Sequence, residues 1–265
     1  MTTPGEDPHL PQRLRAQTFI RQGEQRIGNA WYRGLTRFLD RVRPAVAPDG
    51  GPIDPGRVSD HQQFWTEQVD SEVLPQVGSV LGDAWRAVTR AGDPPSDPWT
   101  STYLNQAGNR MRNTPDEVYA LIVRQVEAGI RDGTPLPDVS REIQAILTAS
   151  GTPYWRNRAM TVARTETMGA TNAGVYRGAQ LEAEQRGDPA PFKQWLSTDD
   201  TRTRPTHNAA DRQRTLLSEP FRVGTASLLF PGDPRGPAAE VINCRCSMLP
   251  IVLGETLDWT ERQNP

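Results

Sequence analysis

The spacing of apolar residues along this chain changes once, at Gly187, and that change limits the folds open to it. Before Gly187 apolar side chains return every three or four positions, the rhythm of helices with one buried face. After it, FKQWLST, FRVGTASLLF and AAEVINCRCSMLPIV mix β-branched and aromatic residues between Asp, Gly and Pro punctuation, which predicts a small antiparallel sheet. Helices first and strands last make an α+β chain rather than alternating βαβ units, and no internal repeat is visible.

Within the helical part, Ile27, Trp31, Leu35, Phe38 and Val42 predict one long helix from about Gln12 to Arg43. PAVAPDGGPIDPG, residues 44–56, reads as a connection that cannot continue it. A second helix is expected from Ser59, with its hydroxyl and Gln62 as a capping box, and a buried stripe of Val69, Val73, Val77, Val80, Ala84 and Val88. Pro75 falls inside that stripe and predicts a kink near Ser71 or two abutting helices. GDPPSDP, residues 92–98, closes the segment. Thr114, Pro115 and Glu117 mark the next start, with Val118, Ile122, Val126 and Ile130 facing inward. Asp138 caps a shorter helix carrying Val139, Ile143, Ile146 and Leu147, and a long helix follows from about Tyr154 to Gln185.

Composition narrows the setting. With 35% hydrophobic residues in 265, the chain is lean but globular, and a net charge of -2 gives no global attraction to nucleic acid or an anionic membrane. Lys193 is the only lysine, so the positive charge is almost all arginine, a bias that a GC-rich genome produces as readily as phosphate binding. MTTPGEDPHL does not resemble a secretory signal, and no run approaches the roughly 18 apolar residues of a membrane span. A cytosolic origin follows as the expectation, with thiols kept reduced. The first helix carries Arg13, Arg15, Arg21, Arg26, Arg33 and Arg37 on its polar faces, a candidate DNA-contacting surface or simply a solvated one.

The chemistry-bearing residues lie in the last hundred. Ala159, Ala163, Thr167, Ala170, Gly174 and Gly178 share a helical stripe where another backbone can approach, because glycine in a helix costs roughly 1 kcal/mol against alanine and needs a packing reason. Arg164 and Glu166 cannot face one another on a helix, so each is expected to find a partner elsewhere, most simply in the sheet. In WLSTDDTRTRPTH, Asp199 and Asp200 can accept backbone amides, and Arg202 or Arg204 can pair with them. If VINCRCS is a strand, Cys244 and Cys246 project from one face and Arg245 from the other. Three readings of that pair stand side by side: packing of small buried thiols, a functional disulfide, and a tetrahedral zinc site completed by His207 and Asp200.

Taken in order, ARTET with Asn172 and Gly174, then Trp195, DDTRTRPTH, Asp211, LLFPGDPRGP with Pro231 and Gly232, and EVINCRCSMLP with Asn243 resemble the phage Mu F-like minor head protein family, also called phage head morphogenesis proteins. The likeness runs from about Asp138 to Ile251. It departs at Arg212, where the family pattern has glycine after the aspartate that follows the histidine; that puts a glycine-dependent turn in question. The resemblance implies three regions: a helical part, 1–112, for portal or capsid docking; a head-morphogenesis module, 113–254, with helices over 114–186 and a sheet over 190–254; and a tail, 255–265. It implies a low-copy virion protein made in the host cytoplasm and placed inside the capsid near the portal vertex. Its partners would be the portal protein, the major capsid or scaffolding protein, and packaged double-stranded DNA, with no membrane, no catalytic residues and no cofactor unless zinc. Relatives with a toxin or protease domain carry it after the shared module, and the dozen residues after Leu253 are too few for one. Two other functions are weighed against this one: a metal-dependent nuclease or hydrolase using His207, Asp200 and the cysteine pair, and a non-specific DNA-binding protein.

Overall fold

The computed structural model describes residues 10–49, 51–89, 94 and 97–262, without the side chains of Leu10, Arg13, Glu261 and Arg262. The expected Arg13 contact surface therefore lies outside the described residues. In chain order the elements are α1 (Leu10–Val46), a 3-10 turn (Pro55–His61), α2 (Gln62–Gln68), a π turn (Val69–Val73), α3 (Leu74–Thr89), α4 (Pro98–Arg112), α5 (Thr114–Asp132), α6 (Leu136–Ile146) and α7 (Pro153–Arg186). There follow β1 (Phe192–Leu196), α8 (Pro205–Ala209), β2 (Arg214–Leu216), β3 (Phe221–Val223), β4 (Ala226–Leu228), α9 (Ala238–Val241), β5 (Ser247–Val252) and β6 (Glu255–Thr256). The fold is α+β, helical first and then a small antiparallel sheet, as the change of period at Gly187 requires.

The chain forms two compact units that interleave along the sequence: Met1–Ile27, Gln76–Gln106 and Ala163–Pro265 in one, Gly28–Pro75 and Ala107–Val162 in the other. The first, called here the sheet unit, is built around the second half of α7. Every residue from Thr165 to Tyr176 is buried, so this stretch is a helix covered on all sides rather than an amphipathic one. Small side chains make that possible. A Cβ on Gly174 would collide with the carbonyl oxygen of Leu81 and stand 3.0 Å from the Cβ of Ala84 on α3. The main sheet runs β2-β1-β5-β6, all antiparallel, with Phe192 opposite Ile251 and Leu196 opposite Ser247; β3 and β4 form a separate hairpin. Trp259 packs edge-on to Phe19, 5.7 Å between ring centroids, and donates its indole N–H to the Met248 carbonyl of β5.

The helical unit is built on tryptophan. Trp31 and Phe38 of α1 meet Trp65 of α2 at centroid distances of 5.9 and 5.5 Å, and the Trp65 indole donates to the Met111 carbonyl at 2.8 Å. Trp155 is equally buried and donates to the Ile146 carbonyl at 2.7 Å.

Several local expectations are corrected. The first helix runs through Pro44 to Val46, three residues past the expected end; Pro44 gives up only its own bond to the preceding turn, at the end of a helix of 37 residues. Ser59 caps nothing: Asp54 accepts the Gly56 amide and opens a 3-10 turn, inside which the Ser59 hydroxyl donates to the Gly56 carbonyl. At α5 the Thr114 hydroxyl donates to Met111, and Glu117 pairs with Arg158 instead of closing a capping box. Ile130 is 77% exposed; the inward position at that turn is Gly129, against which Val139 of α6 packs. The disruption expected from Pro75 is present as the π turn over Val69–Val73, which contains Ser71. VINCRCS is not a strand: Val241 ends α9, and regular pairing begins only at Ser247.

Candidate functional site

The motif residues converge in the sheet unit, and their local chemistry explains how. Asn172, fully buried on α7, places its amide nitrogen 3.0 Å from the carbonyl oxygens of Met168, Pro231 and Cys246, while its Oδ1 accepts the Met248 amide at 3.1 Å. One side chain thus ties the long helix to the FPGDP loop, the cysteine loop and the start of β5. Gly232, at φ 79°, brings the FPGDP loop so close that a Cβ there would stand 3.0 Å from the Gly169 backbone. Asp233, 1% exposed, holds that loop by accepting the amides of Leu229 and Arg235 together with the Arg235 guanidinium.

Arg164 reaches Glu24 of α1 at 3.3 Å and the Asn243 Oδ1 at 3.4 Å, so its partners are a helix and a loop rather than a strand. Glu166 is 2% exposed. Asn243 takes φ 58°, a left-handed conformation that asparagine tolerates better than most residues, and its amide donates to the Thr165 hydroxyl.

That turn leads into Cys244, Arg245 and Cys246, which lie between α9 and β5 outside regular secondary structure. The two sulfurs fall on one side and the guanidinium on the other, the alternation expected of a strand but without strand pairing. Arg245 makes a two-pronged pair with Asp200, 2.5 and 2.7 Å, and this pair holds the Asp200 carboxyl well below the ordinary carboxylate range. Asp200 also accepts the Arg202 amide, and Arg204 donates to the Ile242 carbonyl. Asp211 accepts the Ser197 amide at 2.7 Å. The turn after it survives the missing glycine: Arg212 itself adopts φ 61°, and its amide bonds the Trp195 carbonyl.

On the other side of the cysteine loop, His207 of α8 is 2% exposed, with Nδ1 3.2 Å from Cys246 Sγ and 3.8 Å from Cys244 Sγ. Its Nε2 lies 3.0 Å from Glu240 Oε2, an oxygen that also accepts the Thr206 hydroxyl. Trp195 stands edge-on to the imidazole at 5.5 Å. Burial draws the His207 pKa down, but the bond and charge of Cys244 outweigh it and leave it above its ordinary value. Cys244 is pulled below the usual thiol range by a hydrogen bond from Cys246 and by the imidazole, and Cys246 is pushed up in return.

The structure therefore gathers three of the four expected metal-binding residues and excludes the fourth. Asp200 serves Arg245, and the carboxylate beside His207 is Glu240, which the sequence reading passed over by taking AAEV for strand. Pro237 followed by an acidic first turn was the available helix-start signal. Lys193, the single lysine, is fully buried on β1, a placement that composition does not signal. Its ammonium donates to the carbonyls of Leu217 (2.9 Å) and Leu229 (2.7 Å) and lies over the rings of Tyr176 and Phe221.

Fold and motif network together define a helix-and-sheet scaffold in which the distinctive residues bind one another. Residues 121–249 match the family described as Phage Mu protein F like protein, and this segment of the chain is a Mu F-like module, of the kind found in phage head morphogenesis proteins. A protein of Enterococcus faecalis named NAD(+)--arginine ADP-ribosyltransferase EFV is 29% identical over 145 residues, 55% of this chain and 28% of that protein. The uncharacterized protein YqbB of Bacillus subtilis is 26% identical over 160 residues, 58% of this chain and 48% of its own length. The chain thus spans less than half the length of either curated relative. No solved structure matches.

Proposed function

We propose that this chain is a phage minor head protein with a structural and interaction role: it takes part in head assembly, DNA packaging or delivery from inside the capsid near the portal vertex, and its helical region docks on the portal, the major capsid or the scaffolding protein. One observation carries this reading. The residues that make the Mu F-like module recognisable, Asn172, Arg164, Asp200, Asp211, Pro231, Gly232 and Asn243, have their hydrogen-bonding groups or backbones committed to other parts of the same unit. Such residues maintain a shape; they are not turned toward a substrate.

A metal-dependent hydrolase would need Asp200 and His207 to share a water or a scissile group. Asp200 is bound in two places by Arg245, and His207 is 2% exposed. The transferase named for the Enterococcus relative is an activity of a protein of which this chain covers 28%, and the reading here is non-enzymatic. Among the described residues, no helix is long and apolar enough to cross a membrane.

The test is an asymmetric cryo-EM reconstruction of purified heads, combined with quantitative mass spectrometry of the same particles. A few copies per particle, with density at one vertex, are expected. Heads that lack the protein at a sensitivity that detects the portal would end the proposal.

A further inference from the structure

Two sulfurs and a ring nitrogen face one another inside the sheet unit, with all their ligand atoms within 4.8 Å of one another. Their side chains are 1–2% exposed. In a tetrahedral centre with metal–sulfur bonds of about 2.3 Å and metal–nitrogen bonds of about 2.0 Å, neighbouring donors stand roughly 3.5–3.8 Å apart. The 3.2 and 3.8 Å from Nδ1 to the two sulfurs bracket that spacing.

The far side of the imidazole is equally organised. Glu240 Oε2, 3.0 Å from Nε2, accepts a hydrogen bond from Nε2–H in the tautomer that leaves the lone pair on Nδ1, the nitrogen that faces the sulfurs. Thr206 fixes that carboxylate at 2.9 Å, and Trp195 fixes the ring plane. On the thiol side, the Asn243 turn, pinned by Thr165, and the Arg245–Asp200 pair hold the loop so that both sulfurs point inward. The donors are thus preorganised from both directions.

We propose that His207 Nδ1, Cys244 Sγ and Cys246 Sγ bind a zinc ion, with Glu240 as the positioning carboxylate behind the imidazole and water or an added donor in the fourth place. On binding, each thiol gives up its proton to solvent, and two thiolates neutralise the dication, so the buried centre carries no net charge. Two thiolates and one imidazole favour zinc over hard cations such as magnesium or calcium. The inference rests on the geometry alone and stands apart from the head-protein reading.

Cobalt(II) is the probe. The full chain is reduced, stripped of metal with a chelator and titrated. A thiolate-to-cobalt charge-transfer band with the intense visible bands of a tetrahedral site is expected, saturating at one equivalent and displaced by zinc. Cys244→Ser, Cys246→Ser and His207→Ala should each abolish the charge-transfer band or the tetrahedral signature. His61→Ala, at a histidine of the helical unit outside the donor set, should retain both, and Glu240→Gln should weaken zinc binding roughly 10- to 100-fold. Should the cysteine variants fail to fold, the wild type decides: zinc added to the stripped protein raises its melting temperature. Absence of the charge-transfer band in the reduced wild type, its persistence in the double serine variant, or no thermal response to zinc would overturn the proposal.

Discussion

Asn172 shows how much one side chain can hold. Replacing it with leucine keeps the branched outline but leaves the carbonyls of Pro231 and Cys246 and the amide of Met248 without their partner in a dry interior. Each such group costs about 1–3 kcal/mol, so Asn172→Leu should lower the unfolding free energy by at least about 3 kcal/mol in urea titrations. A loss under about 1 kcal/mol would mean the three segments are joined by something else. Lys193 gives a second residue-scale outcome. Burial pulls its pKa from 10.5 to about 7, so between those values the unfolded chain holds a proton that the folded chain has released. Stability gains from this group as pH rises through that window, and the gain is lost as pH falls through about 7. The stability difference between wild type and Lys193→Met should therefore shift in favour of wild type from pH 7 toward pH 10, by at most about 1.4 kcal/mol per pH unit. A pH-independent difference would show that the carbonyl pair and aromatic rings keep the ammonium charged.

At the scale of elements, α7 depends on having nothing where side chains normally stand. Gly174→Ala drives a Cβ into the Leu81 carbonyl, a backbone atom with no rotamer to yield, and overpacking of this kind costs about 1–3 kcal/mol. Gly78→Ala, on α3, would meet only the Leu104 methyls at 3.9 and 4.0 Å, and should be neutral or stabilise by up to about 1 kcal/mol through helix propensity. Paired thermal melts check both; equal effects would refute the close crossing. The small-residue stripe of α7 was legible in the sequence because glycine in a helix demands a reason, and α1, α5 and α6 were legible because their apolar spacing repeats over several turns. The helix α4 was not read: Trp99, Tyr103 and Met111 fall within a polar stretch, and its burial comes from distant partners such as Tyr176 and Phe230. The cysteine loop was half legible. Alternation correctly put the two sulfurs together, but alternation is a property of any extended segment, and strand pairing was not needed to produce it. Asp200 fits the reading of a turn carboxylate, accepting the Arg202 amide and pairing with arginine; the alternative beside the cysteines rested on nearness to His207 in sequence, which does not set the direction of a loop whose carboxylate is taken by Arg245.

For the whole molecule the deciding quantity is how its charges are used. Thirty arginines and lysines face thirty-two acids, and within each unit arginines meet carboxylates: Arg15 with Asp258, Arg26 with Asp83 and Arg177 with Asp97 in the sheet unit, Arg37 with Glu72 and Arg158 with Glu117 in the helical one. Exposed pairs of this sort add little stability, but they set the local field, because an arginine beside a carboxylate presents almost no net charge to a phosphate. Of the first-helix arginines considered for DNA contact, Arg15, Arg26 and Arg37 are neutralised in this way. Non-specific duplex binding draws on counterion release from unpaired cations, so the chain should bind DNA more weakly than the roughly 10⁻⁴–10⁻⁶ M usual for non-specific binders at physiological salt. Fluorescence anisotropy with a labelled duplex, repeated across a salt series, measures this directly. Micromolar binding that falls steeply with salt and disappears in Arg21→Gln/Arg33→Gln would make the first helix a DNA-contacting surface. Flat titrations would leave the docking role of the helical region to protein partners.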